Sequence, residues 1–291
     1  MLKRYSSLRV IVSHLRITDV GLRDGLQVLT HHIPLESKCT LLEMMIDAGL
    51  RNIEVGSCVS PSVTPMCESE SVAKRYLDRD VTLSLLVLNR KGLMRAKNSG
   101  VSNYNICISL DNGFNERNFG RSMGEMLDEY VKMLRGGDRR SVRAYISHAF
   151  EGDNLDNGMQ MLVETLSSVA STIVLADTNG KSALRVVESM IRHFSRPDFT
   201  LGVHFHKGDS DVWRRVDMAY DLGVREFDTS IANFGGCINI EDPTANISTL
   251  EMMKWANNRG IVLDSQIYWP KVTAAMEYAD SLAEPARCAA A

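Results

Sequence analysis

Short β-rich apolar runs alternate along the whole chain with stretches whose apolar positions recur every three to four residues. The first kind predicts strands over Leu15–Val20, Arg51–Gly56, Val81–Leu88, Tyr104–Leu110, Val142–Ser147, Thr172–Ala176, Thr200–His206 and Glu226–Ile231. The second predicts helices near Leu35–Ala48, Glu68–Leu77, Lys91–Asn98, Met123–Arg135, Leu155–Ser168, Ala183–His193, Asp211–Leu222 and Ser248–Asn257. Trp269 to Ala283 reads as one more helix, packed against or capping the rest. Gly49, Gly100, Gly136 and Gly223 each follow a helix, where a left-handed residue closes the last turn. Asp47-Ala-Gly-Leu, Asn98-Ser-Gly-Val and Asp221-Leu-Gly-Val repeat one helix-to-strand joint three times.

Eight β-then-α units in a row imply a parallel sheet, and eight strands can close it into a (β/α)8 TIM barrel with an extra C-terminal helix. An open doubly wound sheet is the alternative, but no G-x-G-x-x-G follows the first strand. The length of 291 residues suits one such barrel, whose usual size is about 250 residues. No Pro/Ser/Gly-rich linker divides the chain. The expectation is a single domain over 1–291, with 1–14 a basic tail and 266–291 the C-terminal helix and its tail.

Composition narrows the function classes. With 44% hydrophobic and 24% charged residues and a net charge of −3, the chain has the make-up of a soluble enzyme, and no basic surface points to nucleic acid. No apolar run is long enough to span a bilayer, so no membrane partner is expected. Six cysteines, at 39, 58, 67, 107, 237 and 288, show no C-x-x-C pair, which favours a reducing compartment over a disulfide or zinc-knuckle scaffold. The first seventeen residues carry Lys3, Arg4, Arg9 and Arg16 and no acid. We read them as a plain basic tail on a cytoplasmic protein; the alternative is a short mitochondrial presequence. Cys288-Ala-Ala-Ala fits a prenylation box formally, but no basic cluster precedes it, so chance is the preferred explanation.

The unusual polar residues fall at strand ends. Arg23 and Asp24 end the first, Glu54 lies late in the second, Ser147 and His148 end the fifth, and Asp177 ends the sixth. His204 and His206 end the seventh, and Ser230 the eighth. In a (β/α)8 barrel those ends meet at the face where active sites are built.

In Val203-His204-Phe205-His206, strand alternation puts both imidazoles on one side and Val203 and Phe205 on the other. Two imidazoles two residues apart can hold one metal ion, or can equally be strand histidines bonded to their neighbours. Asp24, next to the eighth strand in a closed barrel, tips the choice toward metal. A carboxylate with two imidazoles suits Mg2+ or Mn2+, with Co2+ or Zn2+ as alternatives. In Gly21-Leu-Arg23-Asp24-Gly25 the flanking glycines allow a sharp turn that exposes both charges. Arg23 would then face a developing enolate oxygen; the plainer reading is a surface ion pair. Gly235-Gly236-Cys237 can carry a thiol on a mobile loop, or bury a small apolar side chain after a turn. Asn246 offers a neutral oxygen donor, or simply neighbours a helix N-cap at Ser248.

Together these residues resemble the 3-hydroxy-3-methylglutaryl-CoA (HMG-CoA) lyase family, within the DRE-TIM metallolyase superfamily. The matching segments are Val20-Gly-Leu-Arg-Asp-Gly-Leu-Gln27, Ile53-Glu54-Val-Gly-Ser57 with Val59-Ser60-Pro61, and Leu175-Ala-Asp177-Thr-Asn-Gly180. To these add Val203-His-Phe-His206, Ser230-Ile-Ala232, Gly235-Gly236-Cys237 and Ala245-Asn246, all in family order. The resemblance implies Asp24, His204, His206 and Asn246 as metal ligands and Arg23 as the enolate-stabilising cation. It implies Cys237 in proton transfer, with Glu54 and Asp177 supporting the site. It further implies a carbon–carbon lyase that turns an HMG-CoA-like thioester into acetyl-CoA and a keto acid. A small-molecule substrate and a homo-oligomer, a dimer, complete the expectation.

The chain also departs from that pattern. After Gln27 the family's Asn-Glu pair and CoA-contacting lysine are replaced by Val28-Leu29-Thr30-His31-His32. The family's aspartate after the second metal histidine is Lys207, and its proline and tyrosine after the loop cysteine are Ile238 and Asn239. These changes spare the metal residues and bear on CoA recognition. A different acyl-CoA, a carrier-bound acyl group and a free hydroxy or oxo acid are the alternative substrates. Two rival functions follow. One is an aldolase or Claisen-type synthase on an oxo acid; such synthases usually carry an Arg-Glu-Gly motif and extra C-terminal domains, so Asp24 and the short C-terminus count against that expectation. The other is a barrel that only binds, which retention of the reactive residues argues against.

Overall fold

All eight expected strands form: β1 Arg16–Asp19, β2 Asn52–Ser57, β3 Thr82–Leu86, β4 Asn103–Ser109, β5 Val142–Ser147, β6 Thr172–Asp177, β7 Thr200–Phe205 and β8 Glu226–Thr229. Each pairs in parallel with the next, and β8 returns to β1 in the register Arg16↔Glu226 through Asp19↔Thr229, closing the barrel. This is a computed structural model, and it describes residues 14–60, 62–151, 157–232, 235 and 244–283. The basic tail before residue 14, Pro61, Cys237 with Ile238 and Asn239, and the Cys288 box therefore lie outside the described residues.

Helices α1 Leu35–Asp47, α2 Ser69–Lys74 and α3 Arg90–Asn98 follow the first three strands. After β4 come α4 Asn112–Phe119 and α5 Met123–Leu134, then α6 Asn157–Ser167, α7 Leu184–Phe194 and α8 Val212–Asp221 between the later strands. Helices α9 Thr249–Asn258 and α10 Trp269–Ala283 end the described chain. The short α4 is absent from the hydrophobic pattern, because Asn112-Gly-Phe-Asn-Glu-Arg-Asn-Phe has little amphipathic period. It is held instead by buried Phe114 and Asn115, the latter accepting from Ser109 N and donating to Ser109 O. The four glycines expected to close helices all have positive φ. Gly49 requires it most, since a side chain there would run into the Gln266 carbonyl.

Helix α10 lies antiparallel to α1. Tyr268 N donates to Ala48 O near its start, and the His31 ring meets Leu282 O near its end. Val272, Ala275, Met276 and Ala279 bury its inner face, so it packs on the helix layer rather than plugging the barrel. Among the described residues no helix is long and apolar enough to cross a membrane.

The apolar core sits between strands and helices, where Val203, Phe205 and Phe227 point. The barrel interior is unusually polar for this architecture, which ordinarily fills it with branched apolar side chains. Arg143 on β5 reaches Asp228 on β8 at 2.8 Å, and Asn105 on β4 donates to Ser84 on β3 at 3.1 Å. Buried ions are tolerated only when paired, so this lining must be built as a network.

Candidate active site

After β1 the chain makes a tight π-type turn over Gly21–Gly25, in which the Val20 carbonyl accepts from the amides of Arg23, Asp24 and Gly25. The turn leaves no room for side chains at its start: a Cβ on Gly21 would lie 2.7 Å from Ile231. It aims Arg23 and Asp24, both buried, into the mouth of the barrel. The Arg23 Nη1 donates to Asp24 Oδ1 and its Nε to Glu54 Oε2 at 2.7 Å. Glu54 precedes a β2–β3 register shift between Glu54 and Gly56, the kind of irregularity that re-aims side chains beside sites. Among the described residues, Arg23 Nη2 has no hydrogen-bond partner.

Opposite stands the histidine pair. His204 Nε2 and His206 Nε2 are 2.9 Å apart, and lie 3.9 and 3.8 Å from Asp24 Oδ2. The ligand atoms of Asp24, His204 and His206 all fall within 4.8 Å of one another, and all three residues are buried. The outer ring nitrogens are tied back: His204 Nδ1 to Asp228 Oδ2 at 3.2 Å, His206 Nδ1 to Thr178 O at 2.8 Å. His206, one residue beyond β7, forms an isolated antiparallel bridge with Asn246. That bridge brings Asn246 Nδ2 to Asp24 Oδ2 at 2.9 Å and leaves Asn246 Oδ1 buried with no partner among the described residues. Ser248 does cap α9, in a capping box with Glu251, so capping and the Asn246 contact coexist.

The electrostatics follow from these contacts. Burial opposes charge on Asp24, yet Arg23 and the two imidazoles hold its carboxyl far below the usual range. Burial pulls the Arg23 guanidinium down, but Glu54 and Asp24 raise it further still, so it stays a cation. Burial pushes the Glu54 carboxyl up against the pull of Arg23. Burial lowers the His206 imidazole, and contact with Asp24 more than reverses that. For Asp228, burial raises the carboxyl while Arg143 and His204 prevail and bring it down to about 2.

The donor set fits a divalent cation. Two inward-facing imidazole nitrogens and an amide oxygen unpaired among the described residues converge beside a carboxylate whose own donors, Arg23, Gln27 and Asn246, leave them unmatched. Arg23, Asp24, Glu54, His204, His206 and Asn246 are thus brought into one cluster by direct contacts. Asp177 is placed differently: Ser182 Oγ donates to it at 2.7 Å and Arg215 Nε pairs with it at 3.3 Å. Its segment touches the cluster through the Thr178 carbonyl. Cys237 lies outside the described residues, but Gly235 is packed against the site. A Cβ there would be 2.7 Å from Asn246 Nδ2 and 2.8 Å from Gly25 Cα. Of the departures noted in the sequence, Lys207 turns to Glu251 at 2.9 Å and His32 faces Glu68 at 3.5 Å, both away from the cluster.

Reading the sequence missed Asp228, Arg143 and the Thr178 carbonyl. A signal was there for the first two: a charged side chain at an inward-facing strand position must find a partner across the barrel.

Comparison with known proteins shows the family and the fold. The HMGL-like family model matches residues 14–277. The (R)-citramalyl-CoA lyase of Chloroflexus aurantiacus is 26% identical over 266 residues, covering 84% of each chain. The 3-hydroxy-3-isohexenylglutaryl-CoA/hydroxy-methylglutaryl-CoA lyase of Pseudomonas aeruginosa is 29% identical over 253 residues, covering 83% of this chain and 84% of its own. The structure of an HMG-CoA lyase from Acinetobacter baumannii, in complex with coenzyme A and 3-methylmalate, superposes with a TM-score of 0.85. It is 24% identical, covers 95% of this chain and 93% of its own, and is evidence for the fold.

Proposed function

The chain belongs to the HMGL-like family and is a carbon–carbon lyase, and from that premise we propose that it cleaves a 3-hydroxy-3-methylglutaryl-CoA-like thioester into acetyl-CoA and a keto acid. The observation carrying this is the convergence of Asp24, His204, His206 and the orphaned Asn246 oxygen beside a buried arginine. Those four residues would hold a divalent cation, Mg2+ or Mn2+ by the hardness of the oxygen donors, and it would polarise the substrate's oxygens.

The remaining work falls to side chains. Arg23, clamped by Glu54 and Asp24, has an Nη2 with no hydrogen-bond partner among the described residues, and it would donate to the oxygen on which charge develops as the bond breaks. A cation fixed before the reaction stabilises the enolate without reorganising. Glu54 sets the plane of that guanidinium, and Asp177 steadies the turn whose Thr178 carbonyl orients His206. Cys237 is the proposed proton-transfer group. Gly235 sits against Asp24 and Asn246, and two residues of chain reach at most about 7 Å, so the thiol can come to the cluster. Relatives named for CoA thioesters support an acyl-CoA substrate despite the replaced Val28–His32 run.

The test is metal analysis of the purified protein followed by coupled acetyl-CoA release from branched 3-hydroxyacyl-CoA thioesters. We expect metal-dependent release, and a Cys237→Ser variant that keeps its metal while turnover falls about a hundredfold or more. Bound metal with no thioester cleavage would favour an aldolase acting on a free oxo acid. Parent-rate turnover in the serine variant would remove Cys237 from the chemistry.

A further inference from the structure

The two imidazoles of the cluster are oriented by different kinds of acceptor. His206 Nδ1 faces the Thr178 backbone carbonyl, which no side-chain change can alter. His204 Nδ1 faces a side chain, Asp228 Oδ2 at 3.2 Å. The other oxygen of that carboxylate, Oδ1, accepts from Arg143 Nη2 at 2.8 Å across the barrel. A carboxylate can only accept and a guanidinium can only donate. The chain Arg143, Asp228, His204 therefore has one permitted direction: the proton sits on His204 Nδ1, and the Nε2 lone pair faces His206 and Asp24.

We propose that Asp228, fixed by Arg143, is a positioning residue that sets the His204 tautomer and thereby admits a cation to the cluster. This rests on the reading of Asp24, His204 and His206 as a metal site. The geometry makes an unusual demand on the conservative replacement. In Asp228→Asn, Arg143 can be satisfied only by the amide oxygen, so the amide NH2 turns to His204 Nδ1. The ring must then accept there and carry its proton on Nε2, aimed at the position a metal would take. A nearly isosteric change would thus be worse than deletion. Asp228→Ala merely releases the ring, which can still rotate its proton outward.

Two measurements separate the tautomer from the metal. In metal-free protein at mildly alkaline pH, two-bond 15N–1H correlation spectra should show the His204 proton on Nδ1 in the parent and on Nε2 in Asp228→Asn. Mn2+ titration calorimetry should show affinity reduced by about tenfold in Asp228→Ala, in the range usual for lost outer contacts, and by more than about a hundredfold in Asp228→Asn. Adding Arg143→Met to Asp228→Asn lets the amide flip, and should return affinity to near the alanine level even though a second partner is gone. An Asn variant that binds as well as Ala, a double variant worse than the single, or an unchanged His204 tautomer would each overturn the proposal. A parent that shows the Nδ1 tautomer but binds no Mn2+ would instead sink the metal reading and leave the tautomer assignment standing.

Discussion

Arg23–Asp24 and Arg215–Asp177 are both buried arginine–carboxylate pairs near the C-terminal rim of the barrel, one after β1 and the other at the end of β6. Around Asp177 nearly every group finds a partner, the exception being Arg215 Nε, which lies 3.3 Å from Asp177 Oδ2 as an ion pair without a hydrogen bond. Ser182 donates to the carboxylate from its hydroxyl and its amide, and Arg215 spreads its remaining donors over Gly180 O, Ser182 O and Asp209. Gly180 makes this closure possible: its φ is +65°, and a Cβ there would lie 2.5 Å from Gly208 N. Around Asp24 the groups do not match. Three donors reach it, from Arg23, Gln27 and Asn246, yet two imidazole lone pairs and the Asn246 oxygen crowd the same point. The Arg215–Asp177 pair, its charges balanced locally, ties a turn to a helix. The pair with surplus acceptors calls for a cation from outside.

That contrast can be broken by experiment. His206→Ala should have the largest effect, removing both metal occupancy and measurable turnover while the fold survives, as elemental analysis and circular dichroism would report. If the variant kept its metal, the two pairs would not differ in kind. Arg215→Met should do the reverse. It strands Asp177 in the interior, and breaking a buried pair from one side costs about 3–5 kcal/mol. Urea unfolding should show that loss, with metal affinity of the folded fraction retained; an unchanged midpoint would deny the clasp. Arg23→Met should lower kcat by about a hundredfold or more with bound metal preserved, as expected for one lost preorganised contact. A change confined to KM would place Arg23 in substrate binding alone.

A smaller, pH-dependent effect comes from Asp19, at the foot of the Asp24 turn. Burial pushes its carboxyl up to about 6 from 3.8. An acid whose folded pKa lies above its unfolded value destabilises the fold once ionised. The penalty is absent below pH 3.8, grows to about pH 6 and is constant above, at about 3 kcal/mol. The stability of Asp19→Asn relative to the parent should therefore rise across that window. A difference flat with pH would mean that Asp19 holds no such strain.

By itself the sequence determined the repeating β/α period, the closure into eight units and the end of each strand on which Asp24, Glu54, Asp177, His204 and His206 fall. These features are legible because side-chain alternation and helix periodicity are local rules. Only the tertiary structure decided what meets across the barrel. Asn246 reaches Asp24 through a bridge to His206, forty residues earlier in the chain, and Arg143 finds Asp228 over a separation of 85 residues. Such meetings depend on strand stagger and tilt in a closed sheet, which no local window encodes. The same holds for α4, whose helix survives on the buried Asn115 contact rather than on any apolar stripe. The hydrophobic effect, which is non-directional, wrote the barrel into the pattern of the chain. Hydrogen-bond direction, which exists only once partners are in place, decided what its mouth can hold.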